Sequence, residues 1–90
     1  MEITYRDLAK KGRKRVPAKV RDQLDARVSA FAEDPNAANH GGVKPLKRRV
    51  EFSIRQGKYR ALVEVREGLL VVRHYGHSKD VYKEYDDYDD

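Results

Sequence analysis

Hydrophobic and polar positions change their repeat along this chain, and each change marks a boundary between kinds of element. Ile3 and Tyr5 alternate with Glu2 and Thr4, the pattern of a short first strand with Ile3 and Tyr5 facing a core. From Asp7 to Arg15 a short basic helix is expected, capped by Asp7, weakened by Gly12 and ended by the Val16-Pro17 pair. Pro17 suits the first turn of a second helix, in which Val20, Leu24, Val28 and Phe31 recur at i, i+4, i+8 and i+11 as one apolar stripe. Lys19, Arg21, Asp22, Asp25 and Arg27 occupy the rest of that helix, so it lies on a surface and buries a single face. The stretch from Glu33 to Gly42, dense in turn residues, stops it.

Beyond that loop the period falls to 2. Val50, Phe52 and Ile54 alternate with Glu51, Ser53 and Arg55; after a Gln56-Gly57-Lys58 turn, Tyr59, Ala61, Val63 and Val65 alternate with Arg60, Leu62, Glu64 and Arg66. Glu67-Gly68 is the next turn, and Leu69 to Tyr75 begins apolar on both faces, as a central strand does. The segment from His74 to Lys79 leads out of it, and Val43-Lys44-Pro45-Leu46 fits an edge strand, where a proline is tolerated. The expected architecture is α+β: a small two-layer domain, β-α-α followed by three or four antiparallel strands, with the helices on one face. Residues 1–85 form the domain, and residues 86–90 form an acidic C-terminal tail.

Ninety residues leave room for one domain and none for a large cofactor-binding architecture. The longest apolar run, Gly68 to Val72, is far below the ~20 residues of a membrane-spanning helix, so no membrane association is expected. The first fifteen residues lack the apolar core of a secretory signal, and no cysteine is present to staple the fold, so a reducing cytoplasm is the expected location. Without cysteine, zinc fingers, CxxC redox sites and thiolate nucleophiles are excluded; His40, His74 and His77 are not spaced with carboxylates as metal ligands, and no metal or organic cofactor is expected.

Charge alters the picture more than composition does. The net charge of +5 hides an asymmetry: residues 1–79 carry 19 basic and 9 acidic side chains, whereas residues 80–90 carry one base and six acids. A basic body of this kind meets a polyanion, either nucleic acid or an acidic protein. If Phe52 and Ile54 point at the helices, then Glu51, Ser53, Arg55, Arg60, Glu64 and Arg66 point the other way, onto an open, charged sheet face. Lys44, Lys47, Arg48 and Arg49 lie on the preceding segment, and His77, Lys79 and Tyr82 at the exit of the last strand. Cations that grip phosphates and an aromatic ring that stacks on a base make such a face an RNA platform, and no helix is patterned to read a DNA major groove.

The order of these segments carries a resemblance. Lys44-Pro45-Leu46-Lys47, then Ile54-Arg55-Gln56-Gly57-Lys58-Tyr59-Arg60, then Gly76-His77-Ser78-Lys79-Asp80-Val81-Tyr82, following a strand and two helices, resembles the RelE/ParE toxin superfamily from Ile3 to about Tyr85. The resemblance implies a toxin of a type II toxin–antitoxin pair, with a cognate antitoxin as partner. RelE-like members cut messenger RNA on the ribosome; ParE-like members inhibit DNA gyrase on the same fold. A noncatalytic RNA- or protein-binding relative is the third possibility.

Metal-independent RNA cleavage requires a proton taken from the 2′-hydroxyl, cations on the pentavalent phosphate, and a proton given to the leaving 5′-oxygen. The resemblance makes Arg60 the phosphate-binding arginine and sets Tyr82 against a substrate base. Lys44, Lys47, Arg48, Arg55 and Lys79 are expected to bind RNA. Glu51 and Ser53 stand where RelE-like enzymes often carry lysines, Lys44 where some carry a glutamate, and Ser78 where arginine is common. Glu51 and His77 are therefore the candidate proton carriers, His77 because an imidazole exchanges protons near neutrality. The tail is expected to be a solvated end; folding back over the basic face is the alternative.

Overall fold

A computed structural model describes residues 1–87 of the chain. The elements follow in the order β1 (Glu2–Tyr5), α1 (Asp7–Arg15), α2 (Ala18–Glu33), a 3-10 turn (Ala37–Asn39), β2 (Val43–Pro45), β3 (Phe52–Gln56), β4 (Tyr59–Arg66), β5 (Leu69–His77) and α3 (Val81–Asp87). The five strands form one sheet in the order β1-β5-β4-β3-β2. The four strands after the helices are antiparallel to their neighbours, and β1 closes the other edge parallel to β5, with Ile3 opposite Leu70 and Tyr5 opposite Val72. The expected β-α-α order is present, with α2 on the inner face, but the helices are not confined to one face, because α3 lies over the other. The helix α3, where an exit from the last strand was expected, is an addition.

The apolar stripe of α2 meets the inner face of the sheet. Leu24, Val28 and Phe31 are fully buried against Ile54, Ala61, Val63, Leu70, Val72 and Tyr75, and Val20 packs at the margin. Each such side chain withdrawn from water contributes about 1.5–3 kcal/mol. Val50 departs from the alternation: it lies outside β3, in the turn after β2, and is 68% exposed. The β4–β5 turn is formed by Glu67 and Gly68 alone, both at positive φ (51° and 79°), the mirror-image turn whose twist matches the strands it joins.

Helix α1 is held to β5 at close range. Gly12 sits so near the strand that a Cβ there would lie 2.1 Å from the Tyr75 carbonyl oxygen. Around this contact runs a polar network: Asp25 of α2 accepts from Arg13 Nε at 3.1 Å and from the Tyr75 hydroxyl at 2.7 Å, and Arg13 Nη2 pairs with its second carboxylate oxygen. The Arg13 guanidinium also lies over the Tyr5 ring, 4.8 Å from its centre. Burial alone pushes the Asp25 carboxyl up; the bonds from Arg13 and Tyr75 outweigh it and hold the group below its ordinary value. Burial, with the bond to Asp25, drives the Tyr75 phenol far above its usual range, so it remains a donor.

Two outcomes follow for stability. Gly12→Ala, which helix propensity alone would favour, is expected to destabilise the fold by about 2–3 kcal/mol, because the methyl must push α1 off β5; urea unfolding midpoints measure this. Since the Asp25 carboxyl titrates lower in the folded than in the unfolded chain, its contribution is present above about pH 4 and lost as pH falls through the folded value. Asp25→Asn is therefore expected to be less stable than the parent at pH 7, with the gap closing in acid, as followed by denaturation at a series of pH values.

Candidate nucleic-acid interface

The side of the sheet away from α2 is laid out by strand register, with α1 along its β5 edge. One row across it contains Lys44, Ser53, Leu62 and His74; the next, nearer the β3–β4 hairpin, contains Arg55, Arg60 and Gly76. Arg55 and Arg60 are cross-strand neighbours, an arrangement that destabilises a sheet unless an anion lies between them. Among the described residues no carboxylate pairs with Lys44, Arg55 or Arg60. These three side chains, with Gly42 and Val43, line a cavity of about 210 Å³. At the far end of β3, exposed Lys47 and Arg48 occupy the turn closed by the bond from Arg49 N to the Leu46 carbonyl, with Arg48 at φ 63°. The four residue-to-residue steps from Glu51 to Arg55 separate the two groups of cations by about 13 Å along the strand.

Helix α3 covers the β4–β5 half of this face, so the face is open only in part. Val81 is fully buried, and Glu51 and Ser53, which alternation points toward solvent, are 8% and 0% exposed. Tyr85 donates to Glu51 Oε2 at 2.6 Å, Arg49 Nε stands 3.6 Å from Glu51 Oε1, and Arg49 also pairs with Asp86 of α3. Burial and the bond to Glu51 raise the Tyr85 phenol above its ordinary value. At the other side of the helix, Glu84 Oε1 lies 2.9 Å from His74 Nε2. Asp86 and Asp87 thus belong to α3; the remaining tail residues, Tyr88 to Asp90, lie outside the described residues.

Of the residues singled out in the sequence, Arg60 and Tyr82 are brought together. Arg60 Nη1 donates to Ser53 Oγ at 3.0 Å, and the Tyr82 hydroxyl reaches the same oxygen at 3.4 Å. Lys44 and Arg55 border them. Glu51 is engaged by Tyr85 and Arg49 instead. His77 is on the opposite face, because it is paired with Tyr59, whose ring belongs to the core side and lies 5.3 Å from the imidazole. His77 Nδ1 accepts from the Lys79 amide, and the ring borders a second cavity, about 170 Å³, at the β5 edge beside α1, which is lined from both faces and includes Gly12, Arg15, His74, Asp80 and Glu84. Lys79 is exposed beside the β3–β4 hairpin, where Ser78 N donates to the Lys58 carbonyl. The contribution of Ser53 was not legible as such; the spacing of Val81 and Tyr85 behind Asp80 was the signal for α3. Among the described residues no group of His, Asp or Glu could hold a metal ion, and no helix is long and apolar enough to cross a membrane.

The fold is similar to that of solved toxin and toxin–antitoxin structures. A chain of the RelB–RelE antitoxin–toxin complex from Methanococcus jannaschii matches over 89% of this chain and 95% of its own length, with 23% identity and a TM-score of 0.71. The E. coli toxin RelE, as a mutant in the free state, matches over 93% and 92% with 20% identity and a TM-score of 0.74. A RelBE toxin–antitoxin complex from Mycobacterium tuberculosis matches over 84% and 95% with 25% identity and a TM-score of 0.58. No protein-family description and no curated protein sequence matches the chain. The fold is that of the RelE-like toxin superfamily, as the sequence resemblance implied.

If the Glu84–His74 bond helps to hold α3 on the sheet, Glu84→Ala is expected to loosen that helix by about 1 kcal/mol, seen as faster amide hydrogen exchange from Tyr82 to Tyr85 with little change in β4 and β5.

Proposed function

We propose that this chain is the toxin of a type II toxin–antitoxin pair and acts as a ribosome-dependent endoribonuclease on messenger RNA. The observation that carries this reading is the uncompensated cationic corner of Lys44, Arg55 and Arg60, joined through Ser53 to the Tyr82 hydroxyl. Like charges held together without a carboxylate favour an incoming anion, and a scissile phosphate fits the corner. The likeness to RelB–RelE complexes supports an antitoxin as partner. Its acidic or amphipathic segment would neutralise the same cations.

In the reaction proposed, the 2′-oxygen attacks phosphorus, the bond from phosphorus to the 5′-oxygen breaks, and a 2′,3′-cyclic phosphate and a 5′-hydroxyl result. Arg60 stabilises the charge that gathers on the phosphate oxygens. Lys44 and Arg55 hold the adjoining backbone, Lys47 and Arg48 continue the track along β3, and Lys79 extends it at the hairpin end. With Glu51 bonded to Tyr85 and His77 across the sheet, we assign the proton-transfer role beside the phosphate to the Tyr82 hydroxyl, in addition to contact with a base.

The test is inducible expression in bacteria without an antitoxin, for the parent and Arg60→Ala, with mapping of message 5′ ends. Codon-phased cuts on translated messages are expected, reduced about 10²–10³-fold in the variant. Growth arrest with DNA damage and no cuts would support the gyrase-directed alternative, which the replacement of two lysine positions by Glu51 and Ser53 favours. Harmless expression would leave a noncatalytic binding domain.

A further inference from the structure

We propose that Ser53 is a positioning residue of the cleavage site, which sets the direction of the hydrogen-bond chain Arg60–Ser53–Tyr82 so that the Tyr82 hydroxyl aims its own proton at the leaving 5′-oxygen. This deepens the RNA-directed reading above and rests on it. Ser53 lies in β3 on the outer face, between its register partners Lys44 and Leu62, and is fully buried. An apolar side chain would meet that burial at no polar cost. A serine brings one hydroxyl proton and two oxygen lone pairs that must find partners without water.

The partners decide which way each proton points. Arg60 can only donate, and its Nη1 occupies one lone pair of Ser53 Oγ at 3.0 Å. The Tyr82 oxygen, 3.4 Å away, is the other partner, and among the described residues the Ser53 hydroxyl has no third. Both are hydroxyls, so the positions of the two oxygens fit a bond in either direction. A tyrosine donating to Ser53 would leave the serine proton buried with no acceptor. The reverse direction satisfies every group: Arg60 donates to Ser53, Ser53 donates to Tyr82, and the proton of the partly exposed Tyr82 turns outward.

The same chain suits the reaction. The 2′-oxygen forms its bond to phosphorus and its proton passes to water. The electron pair of the breaking bond leaves on the 5′-oxygen, which takes the Tyr82 proton. The Tyr82 oxygen is then anionic until water returns a proton. A separation of 3.4 Å is long for two neutral hydroxyls, and it contracts as that charge forms, because a hydroxyl donating to an oxyanion approaches to about 2.5–2.7 Å. The Ser53–Tyr82 bond is therefore stronger in the transition state than before it, which is the condition for lowering the barrier. Arg60, tied to Ser53 through Nη1, keeps its remaining N–H groups for the phosphate.

The experiment follows single-turnover cleavage of a ribosome-bound message by the whole chain, at a site located by its 5′ ends. Two messages are compared, one ordinary and one with sulfur in place of the 5′-oxygen at the scissile bond, since a thiolate leaves near neutral pH without being protonated. On the ordinary message Tyr82→Phe, which keeps the ring, is expected to slow cleavage about 10²–10³-fold and Ser53→Ala about 10–100-fold, with the half-saturating concentration changed by less than about threefold. The double variant is expected to be no slower than Tyr82→Phe alone, because both remove one proton donor. On the sulfur message all three are expected to cleave within about threefold of the parent, a recovery that a folding defect would not show. Unchanged cleavage by Ser53→Ala, a loss that persists on the sulfur message, or losses that multiply in the double variant would overturn the proposal. Absence of cleavage by the parent, or full cleavage by Arg60→Ala, would defeat the nuclease reading and this inference with it. If Arg60→Ala is slow on both messages while Ser53→Ala cuts the ordinary one at the parent rate, the nuclease reading stands and only the role of Ser53 is lost.

Discussion

The close seating of α1 on β5 is the constraint on which the rest of the molecule depends. Gly12 lets the helix backbone approach the Tyr75 carbonyl, and that approach brings Arg13 to the Asp25 carboxylate that also accepts from the Tyr75 hydroxyl. A single carboxylate thereby links α1, α2 and β5. The linkage is strong for a physical reason: the carboxylate is shielded enough that its bonds are not lost to water, yet both partners donate to it. It also settles the fate of the basic residues of α1, because only Arg13 is turned inward. The remaining cations of α1 are left on the surface, with Asp7 one turn before Lys10 and Lys11.

Positive charge gathers in two places by different means. Along the β5 edge, helix periodicity gathers Lys10, Lys11 and Lys14 on the face of α1 opposite its packing stripe. On the outer side, strand register sets Arg55 across from Arg60 and brings Lys44 alongside. Helix α3 then divides that outer side. It buries Glu51 and Ser53 beneath Tyr85 and Tyr82, and leaves the Lys44, Arg55 and Arg60 corner uncovered. Acids and bases that would otherwise cancel are thus separated: Glu51, Glu64 and Asp86 are engaged with Arg49 and Arg73, and the hairpin cations remain available.

The order of elements was legible because it depends on local pattern. The stripe Val20, Leu24, Val28 and Phe31 specifies a helix with one buried side, and the alternations around Ile54 and Ala61 specify two paired strands joined at Gly57. The site was legible only where it lies on those strands, as Arg55 and Arg60 do. His77 was a candidate proton carrier, but sequence proximity to Gly76 carries no information about which face a strand residue takes, and register with Tyr59 turns it to the core side. Glu51 is a related case. Alternation points it away from the core, and it carries no sign that a later helix will lie over it and supply Tyr85.

By itself, then, the amino-acid sequence determined the elements up to β5, the packing of α2 on the sheet and the basic character of the body, all of which rest on periodicity and composition within short windows; the RelE-like resemblance rests on the order of its motifs. Tertiary structure alone decided the parallel docking of β1, the covering of half the outer face by α3, and the meeting of Arg60 and Tyr82 at Ser53. Those features depend on contacts between residues far apart in the chain, up to the 67 positions from Glu2 to its register partner Leu69. A local pattern can set which face of an element is apolar; it cannot set which distant side chain will satisfy a polar group left on the other.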